Sequence, residues 1–245
     1  MSIVNEIYPY DYRNTELTEA QTNRLTDAIL INSADRAFSG CRHLRSLNGV
    51  ERTWDTSQVT SMKGMFAGCQ LRNLDLSGWD TSNVTDMEGL FQNAVYERTS
   101  GEDPGTGEGM YNIYSFLDLS GWDTSKVTNM DHMFAFGDEI GVLDLSNFSM
   151  ESLEEPPDLF GTLGRVQYVI IDSAVCKFWG FKWPEEGFLN NVAFLVPYNL
   201  VSDYRNYFNW CNYEGYIIPI EQCTIIRITD GENAGKIKIS FPEIL

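Results

Sequence analysis

Basic side chains are scarce in this chain of 245 residues: 17 Lys and Arg stand against 35 Asp and Glu, a formal net charge of −18. A surface this acidic repels phosphate backbones and anionic lipid headgroups, which argues against nucleic acid and membrane-surface partners. Histidine is scarcer still, with only His43 and His132. Isolated imidazoles are weak ground for catalysis, and there is no G-x-S-x-G elbow, P-loop, dinucleotide fingerprint or H-E-x-x-H. The 5 cysteines are odd in number and none forms C-x-x-C. Neither a zinc site nor a complete disulfide framework is therefore expected, and no cofactor is called for. Long apolar runs are missing as well: none approaches the roughly 18–20 residues that span a bilayer. Met1 to Glu6 carry no basic or apolar segment of the kind that opens a secretory signal. Apolar residues as such are not lacking. At 43% hydrophobic and 13% aromatic, the chain has enough to offset chain entropy, which excludes a disordered protein.

What is present is self-similarity. Trp54-Asp55-Thr56-Ser57-Gln58-Val59-Thr60-Ser61-Met62 returns as Trp79 to Met87 and again as Trp122 to Met130. Eleven residues after each Trp stands an apolar residue followed by Phe: Met65-Phe66, Leu90-Phe91 and Met133-Phe134. A weaker copy has Phe148 in place of Trp and ends at Leu159-Phe160; a degenerate first copy ends at Ala37-Phe38-Ser39-Gly40-Cys41. Trp54 and Trp79 lie 25 residues apart, and Trp79 and Trp122 lie 43 apart, one period plus 18. The surplus falls at about 97–114, a stretch rich in Gly, Glu and Pro that reads as a loop projecting from one copy.

This period predicts an α/β leucine-rich-repeat solenoid, with a short strand and a short helix in each repeat of about 25 residues. Leu71, Leu74 and Leu76 fit the L-x-x-L-x-L strand pattern, as do Tyr114, Leu117 and Leu119; Ile140, Leu143 and Leu145; and Val166, Val169 and Ile171. Alternation places the leucines inward and the residue between them outward. Thr-Ser then reads as a helix N-cap, and Val59, Met62, Met65 and Phe66 recur at helical spacing. Open ends of such an array need caps. Residues 1–36 supply a helical one, with Thr18 to Gln21 as a capping box. The repeats span 37–172, and the aromatic-rich residues 173–245 form an α/β cap.

The repeated residues, seen most fully from Leu74-Asp75-Leu76-Ser77-Gly78-Trp79-Asp80-Thr81-Ser82 to Leu90-Phe91, resemble the BspA-like leucine-rich repeat. That is the repeat of bacterial surface proteins and adhesins, found also in mycoplasma lipoproteins. Val196-Pro197 with Tyr204 and Trp210 resembles the segment that often closes such arrays. The resemblance implies a non-enzymatic scaffold at the cell surface or outside the cell, holding a protein or glycan partner. The absence of a visible signal motivates an alternative, a structural or decoration protein of a bacteriophage virion, assembled with other copies or virion proteins. A glycan-active enzyme would need a pair of catalytic carboxylates, and none stands out.

Several residues are candidates for contact with a partner. Asp75, Asp118 and Asp144 should point outward on one sheet face in successive copies, where stacked like charges require an offset: hydrogen bonds, water or a cation. Solvation is the simpler expectation, and no metal site is assigned. Asp55, Asp80 and Asp123 read as turn formers beside the helix N-cap. The repeated tryptophans are expected in the core. Trp179 and Trp183, in the aromatic stretch 178–216, are candidate interface anchors. Cys41 and Cys69 occupy equivalent positions and read as buried thiols, with a Cys211–Cys223 disulfide as an alternative in the cap.

Overall fold

The computed structural model describes residues 29–42, 54–71, 74–96, 112–114, 116–135, 141–155, 157–160, 168–171, 193–206, 217–227 and 237–241. Its elements in chain order are strands β1 (Ile29–Ser33), β2 (Asp55–Ser61), β3 (Gln70–Leu71), β4 (Val95–Tyr96), β5 (Asn112–Tyr114), β6 (Phe116–Asp118), β7 (Val142–Asp144), β8 (Tyr168–Ile170) and β9 (Ala193–Val196), helix α1 (Val201–Asn206), and strands β10 (Ile217–Pro219), β11 (Thr224–Arg227) and β12 (Ile237–Ser240).

The L-x-L pattern builds a parallel sheet. Strands β6 to β10 lie side by side in chain order, every pair parallel. Leu117, Leu143, Val169 and Phe194 stand in register and are buried, as are Leu119, Leu145 and Ile171 just beyond them. The sheet runs on past residue 172 through β9 and β10. Each of those strands ends at a proline, Pro197 or Pro219, followed by a short 3-10 turn. One hydrophobic core extends from Ala34 to Ile217.

Inside that core the repeated aromatics form two files. Phe38, Phe66, Phe91, Phe134 and Phe160 follow one another at centroid distances of 5.6, 5.7, 5.9 and 6.1 Å. Trp54, Trp79 and Trp122 follow at 5.9 and 6.3 Å. The files touch: Phe38 meets Trp54, Phe66 meets Trp79, and Phe91 meets Trp122. The tryptophans are at most 4% exposed, and Phe148 is fully buried where the fourth copy replaces Trp. Successive rings within each file are therefore in contact, stacked or tilted, adding ring–ring attraction to simple burial.

The Thr of each motif is buried and bridges copies; it does not cap a helix. Thr56 Oγ1 donates to the Asp80 carbonyl at 3.1 Å and accepts from Asp80 N at 2.8 Å. Thr81 Oγ1 donates to Asp123 O, and Thr124 Oγ1 donates to Ser149 O, both at 3.0 Å. Thr85 N donates to Thr60 O and Thr128 N to Thr85 O, continuing the link on the next edge.

The segment read as a helix is different in kind. Asp55–Ser61 is a strand, and the residues after it form a run of turns. Met65 N, Ala67 N and Cys69 N each donate to the carbonyl three residues back. The alternate amides leave the copy altogether: Met62 N donates to Asp86 O, Gly64 N to Glu88 O, Phe66 N to Leu90 O and Gly68 N to Gln92 O. The scheme recurs from Ala34 to Cys41, and again from Met87 to Ala94. A helix keeps its hydrogen bonds within itself. Here half of them are spent between copies. The physical cause is a left-handed residue at every fourth position: Arg36 and Gly40, Gly64 and Gly68, Gly89 and Asn93, with His132 in the next copy. Only Gly adopts this conformation without steric cost, and Asn and His are among the next most tolerant.

Residues 1–28 lie outside the described residues, and Ile29 begins a strand that pairs in parallel with β2. The stretch expected to be a projecting loop ends in β5, which pairs antiparallel with β12 from the C-terminal region; β12 in turn pairs with β11. This three-stranded sheet packs over the outer side of β7–β9. There Val142, Ile170 and Leu195 bury against Ile237 and Ile239 in a second, smaller core.

Candidate functional site

Asp75, Asp118 and Asp144 each accept hydrogen bonds from a serine of their own copy. Asp75 Oδ1 accepts from Ser77 N at 3.1 Å and from Ser77 Oγ at 2.6 Å. Asp118 does the same with Ser120 at 3.1 and 2.7 Å, and Asp144 with Ser146 N at 3.0 Å and with the Ser146 hydroxyl. Each D-x-S triplet thus closes a small local ring that occupies one carboxylate oxygen. Asp118 and Asp144 are paired in register, and the next two positions on that line are Ile170 and Leu195. The acidic stripe therefore gives way to apolar residues beneath the C-terminal strands.

The second set behaves alike. Asp55, Asp80 and Asp123 accept from the backbone N–H of Ser57, Ser82 and Ser125 at 3.0, 3.0 and 2.9 Å. The serine hydroxyl first, and then the serine backbone N–H, hold these carboxyls below their ordinary pKa. Among the described residues no group of three or more His, Cys, Asp and Glu side chains could hold a metal ion. Trp179 and Trp183 lie outside the described residues. Cys41 and Cys69 are buried free thiols, and the Cys69 Sγ donates to Phe38 O at 2.9 Å. The adjoining Cys41 thiol, followed by burial, pushes the Cys69 thiol well above its ordinary pKa, so it is unreactive. Cys223 is a free thiol, half-buried, that donates to Ile220 O at 3.0 Å; Cys211 lies outside the described residues.

The structure directs attention to the opposite side of the repeat. The left-handed turns stack into a flat, hydrogen-bonded face, and on it lies a groove of about 710 Å³. Four successive copies contribute to it through Arg36, Lys63, Glu88 and His132. Its floor is small: Gly40, Gly64, Ala67, Gly68 and Gly89. Gly64 is required twice over. Its φ is +60°, and a Cβ there would stand 3.3 Å from Arg36 Cγ, so the glycine lets the Arg36 side chain lie across the floor.

Charged side chains link the copies along this face. Asp35 Oδ1 accepts from Lys63 N at 3.0 Å and from the Ser61 hydroxyl. Lys63 Nζ meets Glu88 Oε2 at 2.6 Å, and Asn129 Nδ2 donates to the same oxygen at 3.0 Å. The hydrogen bond with Lys63 holds the Glu88 carboxyl below its ordinary pKa, and Glu88 raises that of Lys63. Asp131 Oδ1 accepts from Asp158 N at 2.8 Å, and His132 Nε2 lies 3.6 Å from Asp158 Oδ2. Arg36 and Arg42 are exposed, line the groove, and have neither ion pair nor side-chain hydrogen bond among the described residues. None of these groove residues stands out in the sequence. The signal was the glycines set inside an apparently helical pattern, which argues against a helix and for close backbone approach.

Among the described residues, a parallel, repeat-built sheet with stacked turns on its other side defines a repeat protein with two faces. A family model described as "Mycoplasma protein of unknown function, DUF285" matches residues 14–103 and 108–165. The chain belongs to that family. No curated protein and no solved structure matches it. No helix among the described residues is long and apolar enough to cross a membrane.

Proposed function

We propose that the chain is a non-enzymatic binding scaffold: a leucine-rich-repeat solenoid of the BspA-like type, with the strand-and-turn units described above, that presents one face to a protein or glycan partner at the bacterial surface. The observation that carries this reading is the groove on the turn side. Its backbone is fixed by hydrogen bonds from copy to copy, so it is preorganised and loses little freedom on binding. Its charged residues vary between copies while the core residues repeat, as expected where the core sets the scaffold and the face sets the partner. The strand aspartates and the buried tryptophans belong to the scaffold.

The test is a glycan array and a pull-down with the intact chain, set beside Gln92→Trp, which fills the groove, and Asp118→Asn, which leaves it alone. A partner lost at least tenfold by the first variant and kept by the second is the expected result. A partner held equally by both variants would place the binding face elsewhere. Capsid and tail genes beside this one would move the protein to a virion.

A further inference from the structure

Resting on the turn side as the binding face, we infer that the first-copy end of the groove takes a short acidic oligosaccharide, its carboxylate or sulfate held by Arg36 and Arg42 and its hydroxyls by Ser39, Gln70, Gln92 and Asn93. The charges point this way first. In a chain with 17 basic and 35 acidic residues, three bases, Arg36, Arg42 and Lys63, line one groove. Glu88 is the one acid among the described lining residues, and its Oε2 is already shared by Lys63 and Asn129. Asp35, beside Arg36, is committed to Ser61 and Lys63. Among the described residues the two arginines have no side-chain partner, and Arg36 stands close enough to Lys63 to oppose its charge. Two guanidiniums beside Lys63, with the one acid among the described lining residues already paired, make a local positive field, and a guanidinium fork matches a carboxylate or sulfate with two parallel hydrogen bonds.

The rest of the lining selects the class of ligand. No Phe, Tyr, Trp or large aliphatic side chain lines the groove among the described residues, so apolar pockets to seat the side chains of a peptide are missing there. Strand addition is closed too, because the alternate amides of the floor already donate to the next copy. What remains is amides, a serine hydroxyl and glycine, which suit a ligand rich in hydroxyl groups. The volume of about 710 Å³ falls within the range of roughly 300–1,000 Å³ typical of small-ligand sites. A long polyanion would run on past Glu88 to Asp131 and Asp158, where the charge turns negative.

Calorimetric titration of the full chain with a sialylated trisaccharide, its sulfated counterpart and neutral lactose tests this. The acidic sugars should bind, lactose at least tenfold more weakly, and affinity should fall with added salt. Arg36→Ala with Arg42→Ala should lose at least tenfold in affinity with an unchanged melting temperature; Lys126→Ala, on another face, should lose nothing. The carboxylated and sulfated arms identify which acid the forks prefer. Equal binding of lactose, no binding of either acidic sugar, no effect of the arginine pair, or binding of an acidic peptide in their place would each overturn the inference. A partner blocked by Gln92→Trp but indifferent to both arginines would overturn it while leaving the turn side as the binding face.

Discussion

The two long faces of the repeat solve one problem in opposite ways. On the strand side, leucines alternate with outward residues, ordinary parallel pairing joins the copies, and each aspartate accepts hydrogen bonds from the serine two residues along its own chain. On the turn side, left-handed residues bend the backbone so that every second amide reaches the next copy, and charged side chains reach across with it. The strand side consumes its polar groups locally and is partly covered by β12. The turn side keeps side chains free to face outward. Identical spacing between copies therefore yields one face that is structural and one that is available.

The largest effect should come where both faces share a support. Phe91 is fully buried and touches Phe66, Phe134 and Trp122. Phe91→Ala should destabilise by about 3–5 kcal/mol, since it removes a large side chain and leaves a cavity between copies. Chemical denaturation would show it as a lower midpoint. A loss well under this would mean the aromatic file is not the common support of the two faces.

A smaller effect separates them. Gly89 has φ +60°, and Gln92 Oε1 is the nearest atom a Cβ would meet, at 3.3 Å, the mobile end of a side chain. Gly89→Ala should cost about 1–2 kcal/mol, chiefly for the left-handed backbone. On the strand side, Gly78→Ala meets nothing within 4 Å and carries no left-handed φ. It should be neutral or stabilising by about 0.5 kcal/mol through a less flexible unfolded chain. Equal melting temperatures for the two variants would contradict the distinction between the faces.

The strand side was legible in the sequence, and the turn side was not. Leu117, Leu143 and Val169 announce a sheet because alternation has few other causes. Val59, Met62, Met65 and Phe66 announce a buried face but not its backbone: a helix and a chain of three-residue turns both bring residues three and four apart to one side. Gly64 and Gly68 were the discriminating residues, and the apolar period outweighed them. The docking of β5 on β12 could not be read at all, because more than a hundred residues separate the two strands and nothing local pairs them. The groove was hidden for a related reason. Asp75, Asp118 and Asp144 drew notice because they repeat, and each is hydrogen-bonded to the serine two residues on. Arg36 and Arg42 sit in the degenerate first copy, off the motif, so no repetition draws notice to them.

The smallest effect concerns protons. Asp55, Asp80 and Asp123 have folded-state pKa values below the ordinary 3.8, held there by the serines two residues on. A depressed carboxyl contributes stability that is present above the unfolded value and is lost as pH falls through the folded one. The melting temperature should therefore decline below about pH 4. These side chains are nearly fully solvated, so each contribution is small and weakens with salt. Replacing all three by Asn keeps a side-chain oxygen for the serine N–H but removes the titration. The variant should melt slightly below the parent at neutral pH, and its decline in acid should be shallower. If the two acid limbs are parallel, the stability of the Asp-Ser turns does not depend on ionisation and comes from the turn geometry alone.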